Sequence, residues 1–303
     1  MTRYNQFAAL VARAILDLLL LIPLMIFWVF SLCSATHQTQ PVKLAQQFLR
    51  AAPPIFSVGV VSLFVVEVLN IVRRYSTWNY PNTYYYTINP ATWPSLTASF
   101  LISVGEILIT IALYMTTLAV VYVAIGKAKW WRLLRIEALV AAAVLIVLAT
   151  VLFIKNVVMY ATLASGLLGQ TWLYLIIDFT LLALAIGILG TAIYAMAALR
   201  KRDDRTLGNI PTLLWVASTL WLLHCTYSVV GGALSTNPGR IILPSETRAR
   251  PFLTTFLYLY PAAAVLALLT VIVRRPVWSG SGAVATKDQD AASALRHSDE
   301  NRV

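Results

Sequence analysis

The chain has 303 residues, of which 59% are hydrophobic and only 12% charged, with a mean hydropathy of +0.76; soluble domains carry about 25% charged residues. These figures exclude a water-soluble globular domain and leave an integral membrane protein. The net charge of +11 does not point to nucleic acid, because Lys and Arg fall in short clusters beside apolar spans rather than on one basic face.

Seven apolar stretches reach the roughly 20 residues that a helix needs to cross a bilayer. The first, Ile15 to Cys33, lacks the short apolar core and Ala-x-Ala-like site of a cleaved signal peptide, so a signal-anchor helix is expected. Asp17, one turn from Arg13, reads as half of an ion pair at the membrane surface. The second stretch, Ile55 to Val72, contains Glu67, and Asn70 and Arg74 follow at spacings of three and four on the same face. Arg74 is the partner the spacing predicts for Glu67.

Between the second and third stretches, Tyr75 to Pro94 is rich in Tyr, Trp and Pro and is predicted to be non-helical. It reads either as aromatic anchors at the headgroups or as a lid over an apolar ligand. The third stretch, Leu96 to Ile125, places Ser99, Ser103, Glu106, Thr110 and Thr117 on one helical face. A polar stripe of this kind turns away from lipid. The fourth, Leu139 to Tyr160, is preceded by Glu137 beside Arg132 and Arg135, an interfacial pairing.

Asp178, with Tyr174 one turn before it, lies in the fifth stretch, Trp172 to Leu199. The pair Asp203-Asp204 that follows sits among Arg200, Lys201, Arg202 and Arg205, and reads as a solvated charge run rather than a diphosphate-binding motif. The sixth stretch, Leu213 to Leu234, carries His224, Tyr227 and Ser228 on one side, with Gly231 and Gly232 beyond, where a partner helix or ligand can come close. The seventh, Leu253 to Val273, contains neither an acid nor the lysine a retinal protein requires. After Pro276 the chain turns small, polar and charged, so a transmembrane domain over 1–276 and a disordered cytosolic tail over 277–303 are predicted.

With the N-terminus outside, 15 basic residues fall on the inner side: Lys43, Arg50, Lys127, Lys129, Arg132, Arg135, Arg200, Lys201, Arg202, Arg205, Arg274, Arg275, Lys287, Arg296 and Arg302, against 8 outside. This asymmetry predicts an N-terminus that is lumenal or outside and a cytosolic C-terminus. Cys33 and Cys225 both lie in apolar segments, which excludes a disulfide framework or a zinc ligand set. The sequence shows no His cluster at metal spacing, no Gly-x-Ser-x-Gly elbow and no phosphate-binding loop. No metal and no cofactor are expected.

At about 1.5 Å per residue, Glu67, Glu106, Asp178 and His224 lie roughly 8, 15, 9 and 15 Å below the outer ends of their helices. Each costs several kcal/mol near the bilayer centre unless paired, neutralised or wetted. The similar depths predict one shared polar cavity in the outer half of the bundle. Three uses stand open for it: a hydrogen-bond network that fixes helix packing, a protonated carboxylate acting as general acid on an apolar substrate, and a cavity that binds a ligand or carries a lipid or proton without chemistry.

Seven helices in a short chain, with Glu67 in the second helix as Phe64-Val-Val-Glu-Val-Leu-Asn70, resemble the small membrane-bound terpene cyclases of fungal meroterpenoid and indole-diterpene pathways. The resemblance implies that Glu67 protonates an epoxide or alkene and starts a carbocation cascade in an aromatic-lined pocket. Since helix seven has no acid to match that family's second carboxylate, Glu106 or Asp178 takes that role. The chain also resembles the fungal seven-helix lipid-translocating family linked to toxin resistance, through Glu67 followed by Arg74. A seven-helix receptor fits the architecture as well.

The expectation is therefore an all-α polytopic membrane protein acting on an apolar small molecule or lipid, with the endoplasmic reticulum as its membrane. Glu67, Glu106 and Asp178 are its expected catalytic residues, and Asn70, Ser103, Thr110, His224 and Tyr227 its substrate-binding residues. Loss of turnover in Glu67→Gln is the corollary. The aromatic residues Trp78, Tyr84, Tyr85, Tyr86, Trp93, Trp215, Trp221, Tyr258 and Tyr260 would line a carbocation path.

Overall fold

A hydrocarbon solvent offers backbone N–H and C=O groups no partners, so a chain of this composition satisfies them within helices. The computed structural model describes residues 3–32, 40–79, 91–125, 131–162, 170–202, 207–235, 253–275 and 278, and every regular element among them is helical. The elements are α1 Arg3–Leu32, α2 Gln40–Asn79, α3 Thr92–Ile125, α4 Trp131–Thr162, α5 Gln170–Arg202, α6 Ile210–Ser235, a π-helical turn Thr255–Leu259, and α7 Tyr260–Val273. Among the described residues seven helices are long and apolar enough to cross a membrane, the shortest such segment being the 19 residues Thr255–Val273. At ~1.5 Å per residue even that one approaches the thickness of a bilayer core.

The helices are longer than the apolar stretches that announce them. α2 begins at Gln40, 15 positions before Ile55, and runs through Pro53 and Pro54. The two imides remove two i→i−4 donors, which a membrane helix tolerates when neighbouring groups satisfy the backbone. Part of the segment predicted to be non-helical is likewise helical: α2 continues to Asn79, and α3 starts at Thr92, ahead of Pro94. A proline in the first turn of a helix sacrifices no intrahelical bond. Tyr84, Tyr85, Tyr86, Asp203, Asp204 and positions 279–303 lie outside the described residues, as do the side chains of Trp78, Arg74 and Arg132.

α3 is the central helix. It packs against α2, α4, α5, α6 and α7, and 61% of its membrane-spanning window is buried, against 22% for α1. α1 lies outside, on α2 and α7. The α2/α3 seam is close enough that side chains would collide: a Cβ on Gly59 would come 2.8 Å from Ile102 Cγ1, and one on Gly105 would come 2.9 Å from Phe56 Cδ2 and 3.3 Å from its Cα. Small residues give membrane helices this approach, where apolar burial alone gives little preference for protein over lipid. Gly105→Val is therefore expected to destabilise the bundle by about 1–3 kcal/mol through overpacking. Unfolding in mixed detergent micelles measures it, and an unchanged midpoint would show that the seam is not tight.

Outward faces are as apolar as inward ones, with a difference of size. α4 turns Ala138, Ala142, Leu145, Ala149, Leu152 and Asn156 inward, and exposes Ile136, Val140, Val144, Val147, Val151 and Ile154. Small residues inside let helices approach, while bulky ones face lipid. Glu137 is exposed on α4, in keeping with a position at the interface.

The bundle is tied off at the end of α7. Arg274 donates to the carbonyl of Phe30 in α1 and stacks over its ring, with Cζ 5.0 Å from the centroid. Arg275 donates to Asn209 Oδ1 at 3.0 Å, beside Gly208, whose φ of +53° lets the chain turn ahead of α6. Trp278 is buried and donates from Nε1 to the carbonyl of Ile272 at 2.9 Å. Packing thus extends two residues past Pro276, where the sequence predicts the tail to begin.

Candidate functional site

Glu106 follows Gly105, where α3 packs closely against Phe56 of α2, so the carboxylate is carried by a closely packed stretch of the central helix. It is buried, and its Oε1 lies 3.1 Å from Nε2 of His224 on α6. The opposite ring nitrogen, Nδ1, lies 2.7 Å from the carbonyl oxygen of Tyr258. The imidazole is stacked between two rings: Trp221, three residues earlier on α6, at 4.5 Å and 16°, and Tyr258 at 4.5 Å and 14°. The Tyr258 hydroxyl also hydrogen-bonds Glu106.

This geometry defines the proton inventory. A carbonyl oxygen can only accept, so Nδ1 carries a hydrogen and donates it to Tyr258. The 3.1 Å contact between Nε2 and Oε1 then holds one proton, which resides either on the imidazole, giving an ion pair, or on the carboxyl, giving a neutral pair. Both forms have no net charge. A proton can therefore shift across the contact without placing an uncompensated charge in the bundle, where such a charge is costly.

The π turn supplies the carbonyl. Within it the Tyr260 N–H bonds to the carbonyl of Thr255, five residues back, a widened turn of the kind found at functional positions in helices. His224 reaches the Tyr258 carbonyl inside this turn. Beside it, the Tyr227 hydroxyl lies 3.0 Å from Thr254 Oγ1.

Asp178 of α5 completes the group. It accepts a hydrogen bond from Ser228 of α6, and the charges of Glu106 and His224 act on it. Its Oδ2 would stand 3.3 Å from a Cβ on Gly232, so the absent side chain there admits the carboxylate. The structure thus brings Glu106, Asp178 and His224 together, but not Glu67, which the similar depths put in the same cavity.

Glu67 belongs to a second cluster. Its Oε1 lies 3.1 Å from Nη1 of Arg13, whose Nε is 3.8 Å from Oδ2 of Asp17, and Thr255 Oγ1 donates to Asp17 Oδ1 at 3.3 Å. Asp17 is fully buried, so the expected surface pair with Arg13 forms inside the bundle instead. The observed partner of Glu67 is Arg13 of α1, where the spacing within helix two suggested Arg74. Oε2 of Glu67 and Oδ2 of Asp17 are buried without a hydrogen bond among the described residues. The π turn touches both clusters, through Thr255 in one and Tyr258 in the other.

The remaining expected residues scatter. Thr110 is buried, but its hydroxyl donates to the Glu106 carbonyl at 2.8 Å, a bond within its own helix. Asn70 is half-buried on α2. Ser103 lines a cleft between α3, α4 and α5, together with Ser99, Phe100, Asn156, Tyr174 and Ile177; its volume is about 250 Å³ with its mouth included. Trp93 and Trp215 are exposed and turn away from any interior lining.

Sequence reasoning paired Arg13 with Asp17 but missed its contact with Glu67, and it missed Thr255 and the stacking roles of Trp221 and Tyr258. The Trp221/His224 spacing of three was a usable signal, since it puts both rings on one face of α6. Among the described residues no three His, Cys, Asp or Glu side chains are grouped to hold a metal ion. No family model, curated protein or solved structure matches the chain.

Proposed function

We propose that the chain is a membrane-embedded enzyme of isoprenoid secondary metabolism, a cyclase-like protein that protonates an apolar substrate with an intramembrane carboxylate. The observation that carries this reading is the Glu106–His224 pair, which holds one transferable proton in a buried setting between two aromatic rings. Those rings would also stabilise cationic charge nearby. Glu106 is the proton donor to substrate, His224 the group that exchanges the proton with it, and Asp178 the neighbour whose charge tunes the transfer. Glu67 is engaged by Arg13 and belongs to the scaffold in this assignment.

In this reading the chain sits in the endoplasmic reticulum membrane, and the asymmetry of its basic residues supports a lumenal N-terminus. Microsomes from a heterologous host, incubated with prenylated and epoxidised aromatic compounds, are expected to form a cyclised product that Glu106→Gln abolishes. Absence of product across the panel from folded, abundant wild-type protein would overturn the reading.

A second reading, a ligand-binding receptor or lipid translocator without catalysis, draws on the seven-helix architecture and the basic clusters beside the spans. Neutralising the basic residues from Lys127 to Arg135 and from Arg200 to Arg205 is expected to disable a receptor that contacts a cytosolic partner, and to leave an enzyme active.

A further inference from the structure

We infer that Tyr258 is a positioning residue that keeps the shared proton of the Glu106–His224 pair on the imidazole, so that the resting pair is an imidazolium and a carboxylate. The inference deepens the reading of this site given above. Its consequence for turnover rests on Glu106 being the donor to substrate, whereas the place of the proton does not.

Tyr258 engages both partners, and with three different groups. Its carbonyl oxygen accepts from Nδ1 of His224 at 2.7 Å, its ring stacks on the imidazole with centroids 4.5 Å apart, and its hydroxyl hydrogen-bonds Glu106. The backbone contact depends on the π turn, inside which the Tyr258 carbonyl takes a donor from another helix. One residue thus spans the contact between α3 and α6.

Each of the three groups favours the same arrangement. A phenol donates more strongly to a carboxylate than to a neutral carboxyl, so the hydroxyl favours a charged Glu106. A carbonyl likewise holds the N–H of an imidazolium more tightly than that of a neutral ring. An aromatic face attracts a cation, and Trp221 supplies a second such face at 4.5 Å on the other side of the imidazole.

Burial works against an ion pair, and the cost is met only where further hydrogen bonds satisfy the charged groups. That condition holds here. The carboxylate oxygens buried without a hydrogen bond among the described residues belong to Asp17 and Glu67, and Glu106 contributes none. The other titratable groups that act on the phenol are Asp178 of α5 and Cys225 of α6. Asp178 does not decide the matter, because its charge favours a cation on His224 and disfavours an anion on Glu106, and it acts with both. The contacts of Tyr258 carry no such opposition.

The proton that reaches substrate is therefore stored on His224 and passes through Glu106. The Nε2–H bond breaks as an O–H bond forms on Glu106, and that O–H bond breaks as the proton adds to the substrate. His224 is left neutral with its Nδ1–H, Glu106 is again a carboxylate, and the positive charge has moved to the substrate. Before and after the transfer the same phenol holds Glu106.

The test reads the hydrogen that the assignment concerns, the one on Nε2. With His37 and His297 replaced by Gln and the remaining histidine labelled with nitrogen-15, the two ring nitrogens of His224 are observed by magnetic resonance in lipid nanodiscs near neutral pH, without substrate. In this parent both nitrogens are expected to carry a hydrogen. In Tyr258→Phe, which keeps the ring and the carbonyl and deletes the hydroxyl, the Nε2 signal is expected to move toward that of a bare nitrogen. The ratio of ionic to neutral pairs falls roughly tenfold or more, the usual worth of a hydrogen bond to a charged group, while Nδ1 stays protonated. Tyr227→Phe removes a nearby hydroxyl that bonds Thr254 instead, and is expected to leave both signals in place.

A parent with a bare Nε2 would overturn the inference, as would a Tyr258→Phe spectrum identical to the parent's or an equal displacement in Tyr227→Phe. Tyr258→Met, which deletes the hydroxyl and fills the space with a flexible chain, serves in place of a phenylalanine variant that fails to fold, with the same result expected. A chain that forms no cyclised product yet shows these signals loses the enzyme reading and keeps the proton on His224. An active enzyme with a bare Nε2 keeps Glu106 as donor and loses the role given to Tyr258.

Discussion

Arg13→Met is expected to destabilise the bundle by about 3–5 kcal/mol, the cost of removing one partner from a buried ion pair. The guanidinium is the basic group of the cluster, and it faces two acids at once: Glu67 at 3.1 Å and Asp17 at 3.8 Å. Without it both carboxylates stay buried beside each other. Glu67→Gln in the native background should cost far less, about 1 kcal/mol, since the Arg13–Asp17 pair survives and a neutral amide replaces a carboxylate whose Oε2 already lacks a hydrogen bond.

The decisive measurement is the sign of the coupling between the two sites. Adding Glu67→Gln to Arg13→Met should recover part of the lost stability, because it removes one of the two uncompensated charges. Unfolding midpoints of the four proteins in mixed micelles, taken under one set of conditions, report it. An Arg13→Met protein as stable as the native one, or a double variant weaker than the sum of the singles, would rule out the buried cluster.

Glu106→Gln is expected to lower turnover by roughly 10²–10⁴-fold, the usual worth of a positioned proton donor, with little loss of stability. The amide of glutamine can still donate to Nε2 of His224 while Nδ1 keeps its bond to the Tyr258 carbonyl, so the α3/α6 contact persists without a transferable proton. Glu106→Leu removes that partner as well, and is expected to cost about 1–3 kcal/mol for the unsatisfied ring nitrogen. The pair of substitutions separates chemistry from folding: glutamine loses rate, leucine loses rate and stability. Glu67→Gln is expected to stay within about tenfold of native turnover, because a scaffold ion pair touches the reaction only through geometry. The opposite ranking would return the role of acid to Glu67, as the terpene-cyclase resemblance implies, and would sink the assignment of Glu106.

Much of the site was legible because helical periodicity and depth survive folding unchanged. Ser103, Glu106 and Thr110 share a face of α3 in any structure where that segment is helical, and Glu106, Asp178 and His224 lie at comparable depths in any seven-span arrangement. Those regularities allow the three to meet without requiring it, since Glu67, at a depth like that of Asp178, stands in the other cluster. The partner of Glu67 was not legible, because local spacing favours Arg74 while the observed partner, Arg13, lies 54 positions away on another helix. Spacing rules rank neighbours within one helix and say nothing of which helix stands beside it.

Helix faces were hidden for a related reason. In α4 the inward Ala residues and the outward Val and Ile residues are all apolar, so the alternation of water-soluble proteins is absent and only side-chain size separates the two faces. The π turn at Thr255–Leu259 has no composition that sets it apart from an ordinary helix, yet it delivers Thr255 to one cluster and Tyr258 to the other. By itself the sequence determined the class of fold and the seven helices, since lipid demands apolar residues and closed backbone bonds wherever the chain crosses it. Tertiary structure alone decided which charges meet across helices, because pairing in a low-dielectric interior depends on contacts such as the two at 3.1 Å between helices far apart in the chain.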